Sequence, residues 1–351
     1  MKNIWWNQVT NAVQYVYQIT ESILEEKSIL LRYTSSMPWY EELQATIIES
    51  VKRQNSEKKF VNVSGVSNPG AYILREFCKP EKRATYRPVK GYPKFFAESD
   101  DIVFHDRYLW VQIENIKNLE NWLVFVSEYM KERGKNKSSA VFILEWAGEG
   151  QVSVKKGVKV FSFDDYISEY DRIVFAVLAS SSIKETPFIK TYLAELVANV
   201  AGNDIELCAE CINHHKSFLE NPLGFIRMIV NEKVRSDESR FSYNKMVEEV
   251  EHLVWLAQIK SIYPYLEEYR EDFVQKHAST ISKQLPISAS YSETYDDPKE
   301  VELGTLKYMA DHGLLVLNTS EYEKLKKFKN ARNKLSHLTA LSINEINSLI
   351  Y

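Results

Sequence analysis

The feature that most restricts how this chain can fold is a change of pattern at Phe163. Ahead of it lie five short runs rich in apolar, β-branched and aromatic residues: Ser28–Tyr33, Lys59–Gly65, Arg107–Ile116, Ser139–Trp146 and Val158–Phe163. Between them the spacing predicts helices over Trp39–Arg53, Ala71–Phe77 and Leu119–Lys131, with another over Val9–Leu24 in front. Strands alternating with helices predict an α/β layer with a mostly parallel sheet of about five strands. The continuous run AVFIL within Ser139–Trp146 suits a strand covered on both faces.

After Phe163 the strand signals fade, and Asp164–Leu178, Phe188–Val200, Asp204–Leu219 and Tyr243–Val274 read as helices. The expected fold is an α/β N-terminal domain over 1–180, then an all-α C-terminal half made of a helical segment, 181–241, and a helical domain, 242–351. The stretch Lys79–Asp101 holds Pro80, Pro88 and Pro93 among many charges, and is expected to be a long excursion or small hairpin. Gln284–Glu300, rich in Ser, Pro and Asp, is expected to be an exposed loop within the helical half.

Composition narrows the function. The 351 residues carry a net charge of −4, so no global basic field drives nucleic-acid or anionic-membrane binding, and any nucleic-acid contact needs a local patch. Three cysteines are too few for a disulfide framework. The opening residues mix Asn, Gln and Thr with apolar side chains, as an amphipathic helix does and a secretory signal does not. The longest dense apolar run, Ile173–Ala179, is far short of the roughly 20 residues that span a bilayer. A cytoplasmic protein that does not enter the membrane is expected.

Helix, strand, loop, helix, strand, and later a strand carrying Glu114, is an element order that resembles the core of the AAA+ and related signal-transduction P-loop ATPases, over about Ile4–Leu219. That resemblance implies a phosphate loop at Tyr33–Glu42 and a helical lid after Phe188. The residues themselves argue against the chemistry. The loop has neither the glycines whose backbone would wrap a triphosphate nor the lysine that would neutralise it, and Trp39, Glu41 and Glu42 add bulk and negative charge. Ser35 or Ser36 is expected to cap the following helix, with Pro38 in its first turn. Gln112 and Asn115 flank Glu114 where a magnesium-linked acidic pair would be needed, and Gly65–Gly70 is too short a glycine signal for a ligand site. ATP hydrolysis is not expected.

Cys208, Cys211, His214 and His215 fall within eight residues and are zinc-ligand types. On a helix, however, Cys208, Cys211 and His215 lie along one face on successive turns and do not converge on one ion. A buried cysteine face is expected instead, with no metal.

The densest basic segment lies near the C-terminus: Lys324, Lys326, Lys327, Lys329, Arg332 and Lys334. Ser320 and Glu323 predict a capping box for its helix, and Leu325, Phe328, Ala331, Leu335 and Leu338 its apolar stripe. Within it, RNKLSH at 332–337 resembles the signature of the HEPN superfamily, helical domains found in many RNA-cleaving toxins and defence effectors, over about Ser242–Tyr351. The resemblance implies a metal-independent endoribonuclease that needs no cofactor and dimerises through these helices. Cleavage needs a base for the 2′-hydroxyl, an acid for the leaving oxygen and a cation for the charge on phosphorus. His337 fits the first two roles, Arg332 the third, and Asn333 is placed to fix the His337 tautomer. Lys326, Lys327, Lys329 and Lys334 would hold the RNA backbone. Five residues of helix leave Arg332 and His337 about 140° apart, so one straight helix cannot join them. A second copy, as the resemblance implies, or a partner protein must complete the site. The alternative is a non-catalytic interaction or regulatory protein of a multi-protein complex, with Arg332 lying along a helix seam and the lysines a solvated face.

Overall fold

Helices α1 (Lys2–Gln8) and α2 (Thr10–Leu24) lead into β1 (Ser28–Tyr33), after which α3 (Tyr40–Gln54) carries the chain to β2 (Lys59–Ser64). Three short helices follow, α4 (Pro69–Phe77), α5 (Pro80–Ala84) and α6 (Tyr92–Glu98), then β3 (Arg107–Ile113), α7 (Ile116–Arg133), β4 (Val141–Ala147), β5 (Val158–Ser162) and α8 (Phe163–Tyr166). The computed structural model describes residues 1–34, 36–134, 137–148, 153, 156–288 and 294–350. It divides into two compact units, Met1–Asp171 and Arg172–Tyr351. The 181–241 stretch lies in the second unit together with 242–351.

The five strands form one all-parallel sheet in the order β2-β3-β4-β1-β5. From β1 the chain crosses to the far edge, then returns strand by strand to β4. Right-handed crossovers place connections that run in opposite directions on opposite faces. Accordingly α3 lies with α1, α2 and α8 on one face, where Tyr15 packs edge-on against Phe161 and Phe163. Residues of α4, α6 and α7 pack on the other, among them Ile73, Phe96, Trp122 and Tyr129, against Leu109, Phe142 and Leu144 of the sheet. In the three inner strands β1, β3 and β4, alternate residues therefore enter one core or the other, and both sets are mainly apolar, whereas the edge strand β2 buries only Val63.

The Lys79–Asp101 stretch is helical rather than a hairpin. Pro80 and Pro93 stand in the first turns of α5 and α6, and Pro88 opens a 3-10 turn between them. In a first turn the missing N–H costs nothing and the fixed φ favours the helix.

Among the described residues the second unit is helical apart from one two-stranded ribbon and a single bridge between Val234 and Arg240: α9 (Glu169–Ser181, which enters it from the first), α10 (Pro187–Val200), α11 (Ile205–Asn213), α12 (His215–Glu220), α13 (Pro222–Glu232), α14 (Val247–Ser261), α15 (Tyr263–Ser282), α16 (Leu303–Asp311), α17 (Thr319–Ser336) and α18 (Ile343–Ile350). The ribbon pairs Ile287–Ser288 with Thr294–Tyr295, inside the stretch expected to be a loop. Three expected helices are each broken in two. The Ser168 N–H and hydroxyl both donate to the Asp171 carboxylate in the turn between α8 and α9, His214 ends α11, and Pro264 in the first turn of α15 ends α14 at Ser261.

Candidate functional site

A doubly wound sheet offers a ligand crevice at the carboxyl ends of neighbouring strands whose connections leave in opposite directions. Here those strands are β1 and β4, and the place is filled. Glu145 of β4, 6% exposed, accepts hydrogen bonds from the Tyr33 hydroxyl at 2.8 Å on Oε1, and from the Trp110 indole N–H at 3.0 Å and the Tyr40 hydroxyl on Oε2. Burial first, then the neighbouring Glu145 charge, pushes the Tyr40 phenol well above its ordinary value, so it remains a donor. The Gly148 N–H donates to the Tyr33 carbonyl at 3.0 Å and ties the two strand ends together.

The loop after β1 is committed as well. The Thr34 N–H and hydroxyl both donate to Asp164, at 2.7 and 2.8 Å, and the Trp6 indole donates to the Pro38 carbonyl at 3.1 Å. Trp39, with φ 46°, is the N-cap of α3, and no side chain caps it. Ser36 is thus not the cap and Pro38 precedes the helix, because the left-handed turn at Trp39 delays its start; Ser35 lies outside the described residues. One backbone donor of this loop, the Thr34 N–H, thus already faces a carboxylate.

The other candidates in this unit lie at the surface or cap helices. Glu114 is exposed, Gln112 is exposed, and Asn115 is the N-cap of α7, accepting from the Asn118 N–H at 3.0 Å. In the Gly65–Gly70 stretch Asn68 caps α4, and a Cβ at Gly70 would run into the Tyr92 ring.

In the helical unit, Cys208 and Cys211 are fully buried on α11, where burial pushes both thiols up and keeps them protonated. His214 is half exposed, while His215 meets Glu185 at 3.2 Å. The helix break between them separates His215 from the cysteine face. Among the described residues no group of three or more His, Cys, Asp or Glu is placed to hold a metal ion.

The basic helix α17 starts two residues earlier than expected. Asn318, not Ser320, is its N-cap, and the box closes with Glu321, which returns a bond to the Asn318 N–H. Both frames offer an acid three residues on; the earlier one adds a half turn of helix and brings the Tyr322 hydroxyl onto Asp311 at 2.7 Å. Leu325, Phe328, Ala331 and Leu335 are buried, with Phe328 lying 3.8 Å from the Tyr269 ring centre.

Leu338 departs from that stripe: it is 71% exposed with φ 59°. His337 is the C-cap, Leu338 is the left-handed residue beyond it, and the Leu338 and Thr339 N–H groups close back on the Leu335 and Lys334 carbonyls at 3.2 and 2.9 Å. This satisfies the last carbonyls of α17, but glycine usually holds the left-handed place. Two side chains of α14 fix the elbow. The Trp255 indole donates to the Leu335 carbonyl at 2.8 Å. Gln258, fully buried, donates to the Leu341 carbonyl at 2.9 Å and accepts from its N–H at 2.7 Å, while also donating to the Tyr192 hydroxyl at 3.0 Å.

His337 is thereby exposed on a fixed backbone, and its ring makes no hydrogen bond among the described residues. Asn333 meets it through its backbone carbonyl, which accepts from the His337 N–H at 3.1 Å; its side chain makes no bond to the ring. Arg332 Nη2 lies 2.7 Å from Glu302. Lys334 pairs with Glu345 at 2.6 Å and Lys326 with Glu323 at 3.6 Å, both exposed, while Lys327 and the half-buried Lys329 form no ion pair among the described residues. The structure thus places one free imidazole at the end of a cationic helix face.

Glu145, Gln258 and Leu338 are the residues that reading the sequence missed. A signal existed for two of them, a lone carboxylate inside an apolar strand and a lone amide in the apolar run VWLAQI. No protein-family model matches the chain, and no curated protein matches it. No described helix is long and apolar enough to cross a membrane.

Proposed function

We propose that this chain is a metal-independent RNA-cleaving effector of the HEPN type, acting in the cytoplasm as a dimer, with His337 as acid or base and Arg332 as the phosphate clamp. The observation that carries the reading is the exposed, unengaged His337 held on a fixed elbow at the end of α17. The lysine face, with Lys327 and Lys329 in no ion pair among the described residues, would supply the cations an RNA backbone requires. The Arg332–Glu302 pair is partly solvent-exposed, and such pairs are worth about 0–1 kcal/mol, so a phosphate can displace the glutamate. The α/β unit would then be a regulatory or structural module resembling a P-loop ATPase whose phosphate site is occupied by its own side chains.

The test is cleavage of total RNA in EDTA. Wild type should fragment it, and His337→Ala and Arg332→Ala should each lose about a hundredfold or more. If the site is shared between two copies, mixing the two dead variants should restore about a quarter of the activity, through heterodimers with one intact site. Intact RNA with wild type, or undiminished cutting by both variants, ends this reading. A second reading takes the Arg332–Glu302 pair at face value: α17 is a basic docking face in a multi-protein complex and does no chemistry. RNA or partner binding that survives with no cleavage selects it.

A further inference from the structure

Beside the His337 elbow the helical unit carries a groove of about 770 Å³, walled by the first half of α14, the start of α13 and residues 338–343. Its floor carries the apolar side chains of Val247, Val254, Trp255 and Leu338, with the His252 ring beside Trp255. Trp255 lies half-buried in it, and Val247 and Leu338 expose 39% and 71% of their surface. Its rim is acidic, with Glu220, Glu248 and Glu251 and no lysine or arginine. None of the three forms an ion pair among the described residues, whereas the nearby Glu210 and Glu249 pair with Lys233 and Lys245.

Two costs are built into this groove. Like charges on one rim repel, and a leucine in the left-handed region is strained where glycine would not be. Because Trp255 and Gln258 pin the backbone on both sides of Leu338, the leucine cannot fold away. A surface with an apolar floor and a negative rim repels nucleic acid and matches an amphipathic cationic helix.

We propose that the groove docks a basic amphipathic segment of a partner protein, its apolar side chains on Val247, Trp255 and Leu338 and its lysines or arginines on Glu220, Glu248 and Glu251. Helix α17 of a second copy does not fit, since its own apolar stripe is buried and its exposed face has no anchors. Docking does not depend on the ribonuclease reading. Only its consequence does: a seated segment touches the residue after His337, so the partner would act on the cleavage site through the elbow.

Fluorescence anisotropy tests it with a labelled 15-residue peptide carrying Leu and Lys at helical spacing, and the same peptide with Glu for Lys. Wild type should bind the lysine peptide at about micromolar affinity, falling with salt, and ignore the glutamate peptide. Glu248→Lys/Glu251→Lys should weaken binding by about tenfold or more, whereas the control Glu271→Lys/Asp272→Lys on α15 should not. Leu338→Gly should weaken it several-fold while melting no lower than wild type. His337→Ala should bind the peptide normally, so the proposal and the ribonuclease reading fail separately. Absence of saturable binding, equal binding by the Glu248→Lys/Glu251→Lys variant at matched melting temperature, RNA binding that disappears in Leu338→Gly, or a wild-type dimer that this variant alone dissociates would each overturn it.

Discussion

Glu145 in the α/β unit and Gln258 in the helical unit are each a buried polar side chain serving two neighbours or more, yet their surroundings lead to opposite ends. Glu145 collects two phenols and an indole around the strand ends where a ligand would sit, and closes that crevice. Gln258 grips the backbone of Leu341, with Tyr192 behind it, and so holds an elbow open with His337 outside. Chemistry is to be sought among groups the fold has left unused, and by that measure the crevice at β1 and β4 is spent while the end of α17 is not.

Removing each hub breaks the comparison in a measurable way. Glu145→Ala removes the acceptor of the buried Trp110 indole and of the half-buried Tyr33 and Tyr40 hydroxyls and should cost about 3 kcal/mol. In a unit of this size that lowers the melting temperature by roughly 6–12 °C. A variant that melts like wild type would mean that the crevice is not held shut by this carboxylate. Gln258→Ala strands the Leu341 N–H and carbonyl and should cost about 2 kcal/mol. On the proposed ribonuclease reading it should also slow RNA cleavage while leaving RNA affinity unchanged, because it loosens the elbow and not the lysine face; equal loss of both would contradict a positioning role.

The smallest effect concerns pH. His105, buried behind α7, donates from Nε2 to the Ser99 carbonyl at 2.8 Å and accepts the Tyr129 hydroxyl on Nδ1 at 2.7 Å. Burial is the main cause that lowers its pKa below 6.5. The unfolded chain therefore takes up the proton first, so this contribution is full above pH 6.5 and is lost as the pH falls below it. Urea unfolding between about pH 5 and 8 should show that loss in wild type and a flatter profile in His105→Gln. An unchanged slope would remove His105 as its source.

Much of the fold was legible because its strands are continuous apolar runs: all five expected strands form, with ends shifted by no more than three residues. What escaped was punctuation. Pro264 breaks the expected Tyr243–Val274 helix, and Asn221 followed by Pro222 starts an unexpected one; both signals stand in the sequence. Which of two capping frames opens α17 depends on what Tyr322 reaches, a tertiary fact. The same holds for the candidate site. His337 and the lysines were legible as types, but the exposure of His337 depends on Trp255 and Gln258, some 80 residues earlier in the chain. The filled crevice depends on Tyr33, Tyr40, Trp110 and Glu145 meeting from four separate elements or loops.

The strand order has a consequence for synthesis. β1 emerges first among the strands, yet both its partners, β4 and β5, lie more than a hundred residues further on. At roughly 5–20 residues per second, its unpaired edges and apolar side chains wait several seconds or more on the ribosome. During that interval α1 and α2, made just before it, are the nearest cover, and the nascent chain is a natural client for a chaperone.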